Sequence, residues 1–159
     1  EDLDLQVLLR REKQPIIFDV GANTGQSIDR FRSLFPESKI YSFEPDKVSF
    51  KLLRENYSSD GLHAFEIALG DEPGTAKLYL NTSKDMNSLL RSENPHWGHR
   101  DGEDEVTVST VDKFCEENGV THINLLKTDT QGFELQVLMG CSRMLSEKRI
   151  DLVTMEVIF

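Results

Sequence analysis

Cations are in short supply in this chain. Eighteen lysines and arginines stand against 28 acids among 159 residues, a formal charge of −10, and no basic block interrupts the deficit. Nucleic-acid and anionic-membrane binders need clustered cations, so both classes are disfavoured. Cysteine is nearly absent too. Cys115 and Cys141 fall inside helical patterns without metal-ligand spacing and read as free, buried and reduced, which fits a cytoplasmic protein. No apolar run approaches the length of a membrane span, and no secretory signal is visible. Internal repeats and low-complexity segments are missing, and the acids are scattered as on a solvated surface. What is left is a single domain over residues 1–159, long enough to bury roughly two thirds of the surface its unfolded chain exposes. It opens on Glu1 rather than Met and stops at Phe159 inside an apolar run, so a piece of a longer protein is expected.

Against these absences one stretch stands out, Ile16-Ile-Phe-Asp19-Val-Gly21-Ala-Asn23-Thr-Gly25-Gln26. Its first half, bounded by Pro15, is an apolar run that reads as a buried strand. Its second half is a glycine-punctuated turn, followed by Ile28, Phe31 and Phe35 at helical spacing. Strand, glycine turn and helix start together can hold a polar cofactor, because glycine admits close backbone approach and the first helical N–H groups point at the ligand. A dinucleotide fingerprint would read G-x-G-x-x-G. Here the pattern is Asp19-x-Gly21-x-Asn23-x-Gly25, which resembles the acidic-x-G-x-G-x-G turn of S-adenosylmethionine (SAM) methyltransferases, with Asn23 in place of the central glycine. Asn tolerates left-handed backbone better than most residues, so the exchange is mild. An ordinary strand-to-helix turn is the third reading.

Further along, Leu5, Leu8 and Leu9 make a short helical stripe ahead of the first strand. Lys39 to Glu44 is a second strand closed by Pro45, and Phe50, Leu53 and Tyr57 mark a second helix. Leu62 to Leu69 reads as a third strand, and Gly74 to Leu80 as an added hairpin strand. Residues 81–102 carry no usable period and suggest a mobile lid, with Trp97 as an apolar wall and His96 and His99 as either surface residues or a general base. Glu105 to Val108 is a short strand, and Ser109 to Asp112 caps a helix with Val111, Phe114 and Cys115 inward. Ile123 to Leu126 is a buried strand, Phe133, Val137 and Cys141 a helix, and Ile150 to Val157 a final strand interrupted by Glu156. Alternating strands and helices give an α/β fold, a mostly parallel sheet with helices on both faces. Ligands of such sheets bind beyond the carboxyl ends of the strands, where Asp19, Glu44, Asp71, Asp129 and Glu156 fall.

Taken in order, Phe18-Asp-Val-Gly-Ala-Asn-Thr-Gly25, Phe43-Glu-Pro45, Ala68-Leu-Gly-Asp71 and Leu126-Lys-Thr-Asp-Thr-Gln-Gly-Phe-Glu-Leu135 with Val137, Leu138 and Gly140 resemble the FkbM family of SAM-dependent methyltransferases. The resemblance runs from about residue 16 to the end. It implies a Rossmann-like methyltransferase fold that ends here at its fifth core strand, and transfer of a methyl group from SAM to a hydroxyl of a sugar, glycan or natural product. It also places Ala68 and Leu69 near the adenine, although the residues alone read simply as a strand end; Asp71 reads either as reaching the adenine amino group or as serving the turn beside Gly70. Gln131 stands where the family also uses Glu.

Residue by residue, the bland readings stay beside the functional ones. Glu44 lies about twenty residues beyond the turn, where a carboxylate accepts both ribose hydroxyls; otherwise it is a solvated strand-end acid. Lys127 and Asp129 end a buried strand and need partners, in catalysis or in a structural salt bridge. Glu134 reads as a helix-dipole acid. Asp129 and Glu156 are expected to face each other across neighbouring strand ends at the transfer site, with Lys127 on the same face as Asp129. A metal-free pair is preferred over a bridging divalent cation. The rival functions are an NAD(P)-dependent oxidoreductase and a cofactor-binding module without turnover.

Overall fold

In the computed structural model, residues 2–57, 62–82, 86–91 and 100–156 are described. Five strands form a wholly parallel sheet: β1 (Ile16–Val20), β2 (Lys39–Phe43), β3 (Leu62–Phe65), β7 (Ile123–Thr128) and β8 (Ile150–Met155), in the order β3-β2-β1-β7-β8. The central strand is therefore the first in sequence. Strand order reverses at β1, which has β2 on one side and β7 on the other, and a crevice opens at such a switch point.

Both faces of this sheet are covered, as apolar runs without alternation require. On one face Ile17, Ile40 and Leu125 pack beneath Leu5 and Leu9, Ile28 and Phe31, and Leu53. These come from or beside helices α1 (Asp2–Leu8), α2 (Gln26–Leu34) and α3 (Lys47–Asn56). On the other face Phe18, Tyr41, Phe43 and Leu126 meet Phe114 and Cys115 of α4 (Val111–Asn118), Val137 of α5 (Glu134–Met139) and Met144 of α6 (Ser142–Ser146). Phe114 stands edge-on to Phe43 and Phe65, with ring centroids 4.8 Å apart in each case. A second, three-stranded sheet joins β4 (Ala68–Leu69), β6 (Arg100–Ser109) and β5 (Gly74–Asn81), with β5 and β6 an antiparallel ribbon.

Three readings of the sequence are corrected. The stretch from Leu62 to Leu69 is not one strand: Phe65 ends β3 on the parallel sheet, and Ala68 opens β4 on the other, parallel to β6. The strand read as Glu105 to Val108 is the end of ten-residue β6, whose charged first half is held by pairing with β5 rather than by burial. The helix read through Phe133, Val137 and Cys141 is two short helices. They part at Gly140, whose added Cβ would lie 1.9 Å from the Gly70 carbonyl oxygen, so the backbones themselves are in contact.

Candidate functional site

The register fixes which side chains meet at the carboxyl edge. Asp19 of β1 lies level with Ser42 of β2 and with Lys127 of β7, which in turn lies level with Thr154 of β8. With side chains alternating along each strand, these four belong to one face. Asp19 is completely buried, and its Oδ1 is 3.0 Å from the Lys127 Nζ. Its Oδ2 accepts from the Ser27 hydroxyl at 2.8 Å, which ties the start of α2 to the sheet. Lys127 also donates to the Gly21 carbonyl at 3.4 Å and lies 3.6 Å from Asp129 Oδ2. Burial pushes its pKa down, but the charges of Asp19 and Asp129 outweigh that and the net shift is upward.

The glycine turn is fastened on two sides. Gly21 and Ala22 donate to the Phe43 carbonyl at 3.0 and 3.1 Å, and Asp129 donates to the Val20 carbonyl at 3.0 Å. Gly21 has a φ of 77°, and an added Cβ would lie 1.9 Å from the Asp129 carbonyl oxygen. Only glycine meets both demands. Asn23 adopts a left-handed φ of 49°, as its substitution for the central glycine requires. Its N–H donates to Glu44 Oε2 at 2.8 Å, while Glu44 Oε1 accepts from the Asp46 N–H at 2.8 Å. Asp46 then caps α3 through Ser49. Glu44 is buried, and burial pushes its pKa up to about 7 against the lowering effect of the two N–H bonds.

These groups surround a cavity of about 700 Å³ over the carboxyl ends of β1, β2 and β7. Of the residues singled out in the sequence, Gly21, Asn23, Glu44, Ala68, Leu69, Lys127, Asp129 and Glu156 line it. Asp19 does not; it lies behind the wall, holding Ser27 and Lys127. Gly25 is not on the wall either. Its φ is 100°, and an added Cβ would lie 2.3 Å from the Tyr57 ring. Asp71 is exposed in the turn after β4 and is not among the lining residues. His96, Trp97 and His99 lie outside the described residues.

On the β7–β8 side, Glu156 donates its N–H to the Thr128 carbonyl at 3.1 Å, continuing the strand pairing one residue past β8. Asp129 and Glu156 consequently come together, with the Gln131 amide between them, 2.9 Å from Asp129 Oδ1 and 3.4 Å from Glu156 Oε2. A hydrogen bond to Asp129, and the charge of Asp129, push the Glu156 pKa up. Gln131 has a φ of 54° and Gly132 of 98°, so this turn needs support. Glu134 supplies it: one buried carboxylate oxygen accepts from the Thr130 N–H at 2.8 Å, the Thr130 hydroxyl at 3.0 Å and the Gly132 N–H at 3.3 Å. The helix-dipole reading of Glu134 therefore understates it.

Several wall residues carry no signal in the sequence. Gln26, Ser27 and Arg30 present the other side of α2, which reads as solvent-facing once Ile28 and Phe31 are assigned to the core. Residues 86–89 close one side of the cavity. Ser88 anchors them, exchanging backbone hydrogen bonds with Tyr79 and donating its hydroxyl to the Gln131 carbonyl at 2.8 Å. Among the described residues no three His, Cys, Asp or Glu side chains converge as a metal-binding group. No helix among them is long and apolar enough to cross a membrane.

Comparison with known proteins gives this geometry a lineage. The family model described as the methyltransferase FkbM domain matches residues 19–159. The 2-O-methyltransferase NoeI of Sinorhizobium fredii is 30% identical over 155 residues, covering 90% of this chain and 64% of that protein. Methyltransferase 1 of Beauveria bassiana is 26% identical over 155 residues, covering 86% of this chain and 61% of that protein. The hexuronic acid methyltransferase AglP of Haloferax volcanii is 22% identical over 153 residues, covering 96% of this chain and 61% of that protein. The chain thus spans somewhat under two thirds of the length of these relatives.

Proposed function

The chain belongs to the FkbM methyltransferase family, and on that premise we propose that it is one SAM-dependent O-methyltransferase domain acting on a hydroxyl of a sugar, glycan or related small molecule. The observation that carries the reading is Glu44. Two backbone N–H groups fix its carboxylate beside the glycine turn, Glu44 lines the cavity, and each oxygen keeps acceptor capacity beyond that one bond, as recognition of a ribose diol requires. Charge supports the same cofactor. The wall carries three carboxylates, Glu44, Asp129 and Glu156, against two cations, Lys127 and Arg30. That excess suits a ligand bearing a sulfonium and an ammonium better than the pyrophosphate of a nicotinamide dinucleotide. Gly21, Asn23 and Glu44 would hold SAM, and Ala68 and Leu69 offer an apolar surface for its base.

When bound, SAM supplies a methyl group made electrophilic by its sulfonium. The residues here have to align an acceptor oxygen with that methyl and take the hydroxyl proton. Asp129 and Glu156 are the paired wall carboxylates that could take that proton. Lys127 stays protonated and offsets the charge of Asp19 and Asp129, so it is a fixed cation rather than the base. The pair works without a metal on this reading, and activity that is lost on exhaustive chelation and restored by magnesium would overturn that part. Sugar acceptors are favoured by two relatives, one named a 2-O-methyltransferase and the other a hexuronic acid methyltransferase. Two free, buried cysteines suit a cytoplasmic setting.

Calorimetry with S-adenosylhomocysteine and with NAD, followed by labelled-methyl transfer to a panel of hydroxylated acceptors, tests the proposal. Binding of NAD in preference to adenosylhomocysteine would replace it with the oxidoreductase reading. Binding of adenosylhomocysteine without transfer to any acceptor would reduce the chain to a cofactor-binding module.

A further inference from the structure

The two cations of the cavity wall are held very differently. Lys127 is enclosed: its partner Asp19 has no exposed surface, and a second carboxylate and a carbonyl complete its shell. Arg30 is on the outer wall, on α2 one turn beyond Gln26. Its Nε donates to Asp2 Oδ1 at 2.6 Å, and Asp2 belongs to the first turn of α1. The side chains of this pair are 34% and 56% exposed. An exposed ion pair contributes little to stability, so exchanging Asp2 for another carboxylate costs little. Guanidinium is also the side-chain cation whose planar fork matches a carboxylate with two parallel hydrogen bonds.

We infer that Arg30 is a carboxylate-binding subsite of the cavity, occupied by Asp2 until a ligand carboxylate displaces it. The inference rests on the methyltransferase reading for its choice of probes, not for its geometry. A carboxylate could arrive from two sources: the amino-acid end of the cofactor, or an acidic sugar offered as acceptor. In the first case Arg30 positions the donor. In the second it selects uronates over neutral sugars. The wall acids Asp129 and Glu156 cannot serve this purpose, because they would repel the same group.

The test reads the Arg30 side chain directly. Its Nε–H resonance, assigned by its loss in Arg30→Gln, is followed in the full chain during four titrations: S-adenosylhomocysteine against methylthioadenosine, which lacks the amino-acid end, and glucuronate against glucose. A shift with the carboxylate-bearing member of a pair and none with its counterpart supports the subsite, and the responding pair identifies the source. For that ligand, Arg30→Gln should weaken binding roughly ten- to hundredfold, with an unchanged melting profile. Asp2→Asn should instead tighten it, up to roughly fivefold. No shift with any of the four ligands, or equal shifts within both pairs, overturns the subsite. Weaker binding in Asp2→Asn overturns the exchange with Asp2. The same titrations separate this inference from the cofactor reading. Absence of adenosylhomocysteine binding alongside an Arg30 response to glucuronate would remove the cofactor and keep the subsite.

Discussion

Asp19 and Lys127 sit level with each other on adjacent parallel strands, their charged atoms 3.0 Å apart and the carboxylate sealed from solvent. Removing one member of a buried pair strands the other, so Lys127→Met is expected to lower stability by about 3–5 kcal/mol. The double variant Asp19→Asn/Lys127→Met should lose clearly less than the sum of the two single losses. Urea melts of the four proteins measure this, and additive losses would show that the pair does not act as a unit. The Lys127 pKa is raised above 10.5, so the pair contributes fully below that pH and its contribution is lost as the pH climbs through the folded value.

Glu44 links affinity to pH. Its carboxyl titrates at about 7 in the folded chain against an ordinary 4.5. The native state therefore holds this proton more tightly, and the ligand-free protein loses stability as the pH rises from 4.5 towards 7. Ribose hydroxyls donate to the ionised form and favour it. Affinity for adenosylhomocysteine should rise with pH through about 7, with proton release on binding. Glu44→Ala should cost about 1.5–3 kcal/mol of binding, and Glu44→Gln should flatten the pH profile. Calorimetry in buffers of different ionisation enthalpy reads both effects. A profile that is flat already in the unsubstituted protein would detach Glu44 from the ligand.

Two glycines make a controlled comparison. Gly119 has a φ of 66° with nothing within 4 Å of an added Cβ, so Gly119→Ala should cost about 1–2 kcal/mol of stability and leave ligand binding intact. Gly21→Ala meets the Asp129 carbonyl as well. It should destabilise more and abolish adenosylhomocysteine binding. Equal behaviour of the two variants in melts and titrations would show that the contact between the turns is dispensable.

The acid pair gives a spectroscopic prediction. Asp129 causes the upward shift of Glu156, so Asp129→Asn should bring the Glu156 carboxyl back towards its usual range, read by the side-chain carbon signal during an NMR titration. Transfer should fall at the same time. Full activity in Asp129→Asn would take this residue out of the mechanism.

Ser88 predicts where exchange is slow. Its carbonyl and N–H pair with Tyr79, and its hydroxyl accepts from the Leu90 N–H at 3.0 Å while reaching the Gln131 carbonyl. In residues 81–102 the amides of Ser88 and Leu90 should be protected even without ligand. Ser88→Ala should speed Leu90 exchange and weaken adenosylhomocysteine binding. Rapid Leu90 exchange in the unsubstituted protein would mean that this anchor is open in solution.

Much of this arrangement was readable in the chain because single residues announce it. Acids that close apolar runs and glycines in a turn have few explanations, so Asp19, Gly21, Glu44 and Asp129 pointed to one edge of one sheet. The rest depended on pairing and direction, which side-chain type does not report. The apolar stretch through Leu69 has no pattern that says where it leaves the parallel sheet. The charged start of β6 looks like loop because the β5 backbone holds it. Arg30 and Gln26 share the polar face of a helix and gain meaning only when a cavity opens beside them. Glu134 reads as a helix-dipole acid because the turn it supports is three residues of backbone.

The strand order has a further consequence for how the molecule comes into being. The central strand is synthesised before the other four of its sheet, yet one of its two neighbours is distant: Ile16 and Asn124, joined by a hydrogen bond, are 108 positions apart. Strands β1 to β3 can pair early, but β1 then presents a bare edge, and Asp19 lacks its counter-ion until β7 arrives. Such long-range parallel pairing is slow and leaves the edge open to wrong partners. Productive folding therefore hinges on insertion of β7, the strand that also brings Lys127 and Asp129 to the cavity wall.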